Sequence, residues 1–252
     1  MGKDEYSVAF IIAHKYFRGY PSYLKYYIEN IIKFYGDNAL VLVVDNNSLY
    51  KEDIFNEIPD IDNIVYLDNN IDCKFELGAY QVGINYILEN DLLDKYDFYV
   101  CTQDNFIIKN KYDFNILLDK DDTACPINSW KPDGACGGVV AQVLSSIDLY
   151  NNLDKMTFCW CSSFVVSKLK LEQLYGYLQK IVITVRHQSC ASERYLARIL
   201  WELNNYKNTD IDGGLDELKR DYYDCWTVDP YADAKSFFVK KVQQKTEKTV
   251  DQ

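Results

Sequence analysis

Apolar positions change period along the first half of the chain, and each change marks an element. Val8-Ala9-Phe10-Ile11-Ile12-Ala13 is an unbroken apolar run, the pattern of a strand covered on both faces. Pro21 suits the first turn of a following helix, whose stripe is Leu24, Ile28, Ile31, Ile32 and Tyr35 and whose stop is Gly36. Ala39-Leu40-Val41-Leu42-Val43-Val44 predicts a second buried strand, closed by the turn formers Asp45-Asn46-Asn47-Ser48. A short helix over Lys51–Glu57 and a third strand at Ile64–Leu67 follow. Helical spacing returns at Ala79, Val82, Gly83, Tyr86, Ile87 and Asn90, where small Ala79 and Gly83 allow close approach to a sheet. Phe98–Thr102 is the fourth strand and runs directly into Gln103-Asp104-Asn105. This alternation predicts an α/β fold: a mostly parallel central sheet flanked by helices and joined by right-handed crossovers.

The second half is less regular. Residues 121–145 hold Pro126, Pro132, Gly134, Gly137 and Gly138 and predict a long, ordered loop. A strand is expected at Trp160–Val166, and helices at Lys168–Gln179, Ser192–Leu203 and Ala232–Gln244. No repeat or Gly/Ser/Pro-rich linker divides the chain, so a single Rossmann-like domain over 1–252 is expected.

Composition narrows the function. Lys and Arg total 27 against 38 Asp and Glu, a net charge of −11, which repels phosphate backbones and disfavours nucleic acid as the main partner. The apolar runs fall far short of the roughly 20 residues of a membrane span, and no signal-peptide core follows the charged start, so a cytoplasmic location is expected. Gly2 suits myristoylation, but Tyr6 stands where that pattern wants Ser or Thr. The 8 cysteines are scattered without a C-x-x-C, and the chain has only His14 and His187. Cys159 and Cys161 would share one face of a strand, yet buried free thiols are a better account than zinc.

Chemistry is expected at the carboxyl ends of the parallel strands. His14 follows the first strand, Asp45-Asn46-Asn47 the second, and Gln103-Asp104-Asn105 the fourth. Neither Gly-x-Gly-x-x-Gly nor Gly-x-x-x-x-Gly-Lys-Ser/Thr is present, which excludes the glycine loops of dinucleotide dehydrogenases and P-loop enzymes. What remains are carboxylates and amides suited to a nucleotide and a hard divalent cation; Asp104 is placed to bridge the cation to substrate phosphates, and a plain chain turn at Asp104-Asn105 is the alternative, which this residue alone favours.

Several segments together resemble the GT-A fold glycosyltransferases, especially glycosyltransferase family 2. Val44-Asp45-Asn46-Asn47-Ser48 is similar to the family's Asp-Asn-x-Ser segment, and Glu76-Leu77-Gly78-Ala79-Tyr80 to the opening of its donor-side helix. Tyr99-Val100-Cys101-Thr102-Gln103-Asp104 looks like the strand that ends in the metal-binding Asp-x-Asp. Cys161-Ser162-Ser163-Phe164-Val165-Val166 resembles the strand beyond the acceptor loop, and Ser192-Glu193-Arg194-Tyr195-Leu196 stands where a Glu-Asp pair heads a helix. The resemblance runs in order over about residues 6–203, and its flavour is that of transferases building capsular glycans or the capsid glycans of large algal viruses.

The resemblance implies transfer of a hexose, with rhamnose or mannose as examples, from a nucleoside diphosphate (UDP-sugar favoured) to a carbohydrate hydroxyl, with Mn2+ or Mg2+ at Asp104. It implies a nucleotide-sugar half over 1–110 and an acceptor half over 111–230. Donor-side roles fall on Ala13, His14, Asp45 (base), Asn47, Lys74, Gly78, Gln103 and Asp104 (ribose and cation). Acceptor roles fall on Trp130, Trp160 and Ser163. Glu193 is the candidate general base, because it continues the inward stripe of Leu196, Ile199, Leu200 and Leu203, away from the face of Arg194, Arg198 and Glu202. Ser192 is the expected cap of that helix. Asp133, beside Trp130 in an irregular loop, is the alternative base.

Two departures stand out. Only the last carboxylate of Asp-x-Asp is kept, and Arg194 replaces the second acid of Glu-Asp; a base at Glu193 means inversion, and a retaining course stays open. Literal Asp-x-Asp at Asp60/Asp62, Asp119/Asp121 and Asp210/Asp212 sits among turn formers and reads as solvated loop. The basic segment 231–252 carries Lys240 and Lys241, which could reach the diphosphate and cover for the lost acid; a solubilising tail is the alternative. A sugar nucleotidyltransferase and a non-catalytic glycan-binding relative are the competing functions.

Overall fold

The structure, a computed structural model, describes residues 6–16, 22–56, 58, 61–108, 111–112, 114, 124–126, 129–130, 136–149, 158–204 and 226–227. In chain order these form β1 (Val8–His14), α1 (Leu24–Tyr35), β2 (Ala39–Asp45), α2 (Glu52–Phe55), β3 (Ile64–Asp68), α3 (Phe75–Glu89), β4 (Phe98–Gln103), β5 (Ile107–Ile108), β6 (Ala124–Pro126) and β7 (Ser129–Trp130). Then come α4 (Gly137–Ser146), β8 (Phe158–Cys159), a 3-10 turn at Trp160–Ser162, β9 (Phe164–Ser167), α5 (Lys168–Leu178), α6 (Arg186–Leu203) and β10 (Trp226–Thr227).

Among the described residues the central sheet has 6 strands in the order β3-β2-β1-β4-β9-β6. β1 pairs in parallel with β2 and β4, and β2 with β3, while β9 runs antiparallel to β4 and to β6. The expected α/β architecture, mostly parallel and flanked by helices, is therefore observed. The chain winds outward from β1 through β2 to β3, then returns on the other side of β1 to form β4. That reversal creates a switch point between the carboxyl ends of β1 and β4, where a crevice opens in folds of this type.

Every residue of β1 and β2 is buried, which is why both read as continuous apolar runs. The two-residue period divides them between two cores. Ala9, Ile11 and Ala13 pack with α3, α4, α5 and α6, whereas Val8, Phe10 and Ile12 pack with α1. Each buried Ile, Leu or Val contributes about 1.5–3 kcal/mol of transfer free energy. Gly36, at φ 55°, caps α1 as its position predicts. Gly83 lets α3 lie close to the sheet, for a Cβ there would sit 2.4 Å from Ile11 Cγ2.

Several expectations need correction. Segment 121–145 is not one loop: it holds β6, β7 and most of α4. The strand expected at Trp160–Val166 is broken, because Cys161 and Ser162 take left-handed φ values of 53° and 50° before β9 begins. Cys159 and Cys161 therefore do not share the face of one strand. The amphipathic helix expected at Ser192–Leu203 starts six residues before Ser192, at Arg186, where the Gln188 side chain accepts from the Thr184 and Val185 N–H groups and holds the first turn. Ser192 is thus interior to α6 and not its cap. The charged face of α6 is also covered: Arg194 is 8% and Arg198 1% exposed. Arg198 Nη1 lies 2.9 Å from Glu202 Oε2, and the guanidinium stacks 4.9 Å from the Trp201 ring.

Cys73, Cys101, Cys159 and Cys161 are free and buried, as expected of thiols used as small apolar groups, while Cys190 is exposed. Among the described residues no helix is long and apolar enough to cross a membrane. The helix expected at Ala232–Gln244 lies outside the described residues.

Candidate functional site

Two polar clusters flank the carboxyl end of β4. The first joins the ends of β1, β2 and β4, where the parallel register sets His14 beside Asp45 and Ala13 beside Gln103. Asp104, one residue past β4, donates its backbone N–H to the Ala13 carbonyl at 3.1 Å. Its Oδ2 lies 2.7 Å from His14 Nδ1 and accepts the Lys15 N–H at 3.0 Å. Oδ1 has no hydrogen-bond partner among the described residues, and the side chain is 25% exposed. The His14 side chain is wholly buried against Phe55, and its Nε2 lacks a partner among the described residues.

Asp45 is fully buried, and both its oxygens are engaged by Ser48: Oδ2 by the backbone N–H at 2.7 Å and Oδ1 by the hydroxyl. Ser48 Oγ in turn accepts from Tyr16 N–H at 2.8 Å. Asn47, exposed and at φ 59°, forms the left-handed corner of this turn. Lys15 Nζ donates to the Asn46 and Asn47 carbonyls, each at 2.6 Å. Partial burial lowers the Lys15 pKa, and the nearby Asp45 carboxylate works against that shift. Asp45 therefore acts through the loop it shapes.

The second cluster was not foreseen as a unit. Gln103 Nε2 donates to Glu76 Oε1 and to the Cys161 carbonyl, both at 3.0 Å. The Cys161 N–H donates to Glu193 Oε1 at 2.7 Å, and the Cys161 carbonyl also accepts from Ser163 Oγ at 3.0 Å. Ser162 Oγ and Ser192 Oγ are 2.6 Å apart, and Ser192 donates to the Ser189 carbonyl. Ser189 Oγ closes the ring on Glu76 Oε2 at 3.0 Å. Glu193 is 24% exposed at its side chain and lies 3.9 Å from Arg194 Nη1. The buried phenols of Tyr80 and Tyr195 border this ring, and burial raises both pKa values well above 10. Ser163 and Ser192 lie near enough to oppose those shifts, although neither phenol meets hydrogen-bond geometry.

Three residues with left-handed backbone border the ring. Cys161, Ser162 and Phe75 adopt positive φ without being glycine, at a cost of about 1–2 kcal/mol each. Phe75 immediately precedes Glu76, and Gly78 allows the head of α3 to press on the loop below, where a Cβ would lie 2.0 Å from the Cys73 carbonyl oxygen. Lys74 Nζ is turned away to the Ile71 carbonyl at 2.6 Å.

The structure thus brings Ala13, His14, Asp45, Asn47 and Asp104 together, and separately gathers Gln103, Ser163 and Glu193. Trp130 lies on β7, which pairs with β8 immediately before Trp160. Asp133, Lys240 and Lys241 lie outside the described residues. Glu76 and Ser189 were not given roles by sequence reasoning. Glu76 was marked by its place in the Glu76-Leu77-Gly78-Ala79-Tyr80 segment and as an acid in the first turn of α3, and Ser189 offered no signal.

Among the described residues no group of three or more His, Cys, Asp or Glu side chains is arranged to hold a metal ion. Those residues form no all-protein cage, and the chemistry of Asp104 Oδ1 suits a cation that takes one carboxylate and completes its shell with substrate phosphates and water. Neither a known-family model nor a curated protein matches the chain.

Proposed function

We propose that this protein is a glycosyltransferase of the GT-A type, moving a sugar from UDP-sugar to a carbohydrate hydroxyl. The observation that carries the reading is Asp104 at the β1/β4 switch point, with Oδ2 held by His14 and Lys15 and Oδ1 without a hydrogen-bond partner among the described residues. The turn shaped by Asp45 and Ser48 would receive the base. Asp104 would hold the divalent cation together with the donor diphosphate. When bound, that cation offsets charge on the departing diphosphate.

Glu193 is the base of this reading. Its Oε1 is fixed by the Cys161 N–H, so the carboxylate is oriented before any acceptor arrives. It takes the proton of the acceptor hydroxyl while that oxygen bonds to the anomeric carbon. The bond from that carbon to the diphosphate oxygen breaks, and the nucleoside diphosphate leaves with the electron pair. Attack opposite the leaving group inverts the anomeric centre.

A thermal-shift series with UDP, GDP and dTDP sugars, with and without manganese, tests the reading, because a ligand of the folded state raises Tm. UDP-sugar with manganese is expected to give the largest rise, together with slow UDP release. No rise with any nucleotide would remove the reading.

A further inference from the structure

Gln103 is 7% exposed and stands between the two clusters, bonded covalently to Asp104 on one side. Its amide nitrogen spends both hydrogens across elements, one on Glu76 at the head of α3 and one on the Cys161 carbonyl. Cys161 is the residue whose N–H holds Glu193, and it does so from a left-handed conformation shared with Ser162. Consecutive left-handed residues with side chains persist only where the surroundings hold them. The Gln103 amide is one of the groups that holds this pair.

We propose that Gln103 is a positioning residue that, through the Cys161–Ser162 turn, fixes the Glu193 carboxylate relative to Asp104. Without the amide the Cys161 carbonyl loses a donor, the strained turn relaxes toward ordinary φ, and the Cys161 N–H swings off Glu193. Glu76 serves as the counter-anchor, since its carboxylate accepts one amide hydrogen and so directs the other at Cys161. The functional part rests on the reading of Glu193 as the base; the mechanical part stands independently of it.

The test is amide hydrogen exchange by NMR on the full chain, comparing Gln103→Ala with the unaltered protein. Cys161 N–H protection should fall at least about tenfold, the equivalent of one lost hydrogen bond, while Ile11 and Val41 in the central strands keep theirs. Gln103→Met, of similar length and without donors, should behave alike and serves if the alanine variant does not fold. Unchanged Cys161 protection, or an equal fall at Cys161, Ile11 and Val41, overturns the proposal, because a merely structural residue lowers all protection together. In the same variants, turnover of UDP-sugar should fall at least about tenfold more than UDP affinity does. Equal falls in turnover and affinity would overturn the link to Glu193. If the unaltered protein binds no UDP with manganese, the glycosyltransferase reading fails, and the exchange result alone decides the positioning.

Discussion

The two clusters beside β4 are built on different principles. The one at Asp104 and Asp45 is assembled from strand ends that lie side by side in a parallel register, and its hydrogen bonds run mostly to backbone groups in short turns. The one at Glu193 draws on β4, the head of α3, a strained turn and the first two turns of α6, and its members meet only when all four have docked. The first can tolerate loss of a side chain because neighbouring strands keep the frame. The second has no such frame, so a change in one element reaches the others. In the proposed function this divides the labour: the frame carries the donor, and the docked elements carry the base.

Breaking the docked cluster at its functional end should give the largest effect. Glu193→Gln keeps the shape and the Cys161 N–H contact but removes the basicity, so transfer should fall by roughly two to four orders of magnitude with donor binding near normal. Transfer kept within a few-fold, measured as UDP release with an acceptor present, would leave Glu193 a structural residue and favour Asp133 or a retaining course.

Gly78→Ala attacks the same cluster mechanically. The added Cβ meets the Cys73 carbonyl oxygen, a backbone atom that cannot step aside, so the head of α3 must move and take Glu76 with it. A loss of about 1–3 kcal/mol is expected in urea unfolding, with a Tm lower by several degrees. Unchanged stability would mean that α3 and the loop at Asn69–Cys73 slide freely past each other.

Asp45→Ala tests the strand-end frame. It removes the acceptor of the Ser48 N–H and hydroxyl, costing about 1–3 kcal/mol if they stay buried and less if the turn opens to water. Circular dichroism should show the sheet intact, since the β1–β2 ladder does not depend on that side chain. A collapse of the fold would contradict the description of this cluster as a frame with dispensable side chains. Lys51→Ala, at the rim of the same frame, removes a partly exposed pair with Asp68 and should change stability by about 0.5 kcal/mol or less.

The difference between the clusters also explains what could be read from the sequence. His14, Asp45 and Asp104 each follow an apolar run, and a strand buried on both faces puts its next polar residue at the sheet edge, so their shared location was legible. The ring around Gln103 was not, because Glu76, Cys161, Ser189 and Glu193 are joined by docking and not by spacing. The left-handed pair Cys161–Ser162 leaves no sequence mark, since glycine is absent there. Helix α6 shows a second limit. Periodicity identified its stripe of Leu196, Ile199 and Leu200 but gave no sign that the opposite side is covered too, with Arg198 neutralised by Glu202 and stacked on Trp201. Its early start at Arg186 depends on the Gln188 side chain reaching back to Thr184 and Val185, a cap without the usual Ser, Thr or Asp.

The central claim is that Asp104 carries the donor diphosphate through a divalent cation. Isothermal titration of UDP in the presence of manganese, into the unaltered protein and into Asp104→Ala, measures it directly. The account predicts binding to the unaltered protein that weakens at least about tenfold on removal of manganese or of the Asp104 carboxylate, with circular dichroism unchanged. Equal affinity for the two proteins, or no binding to either, would contradict it.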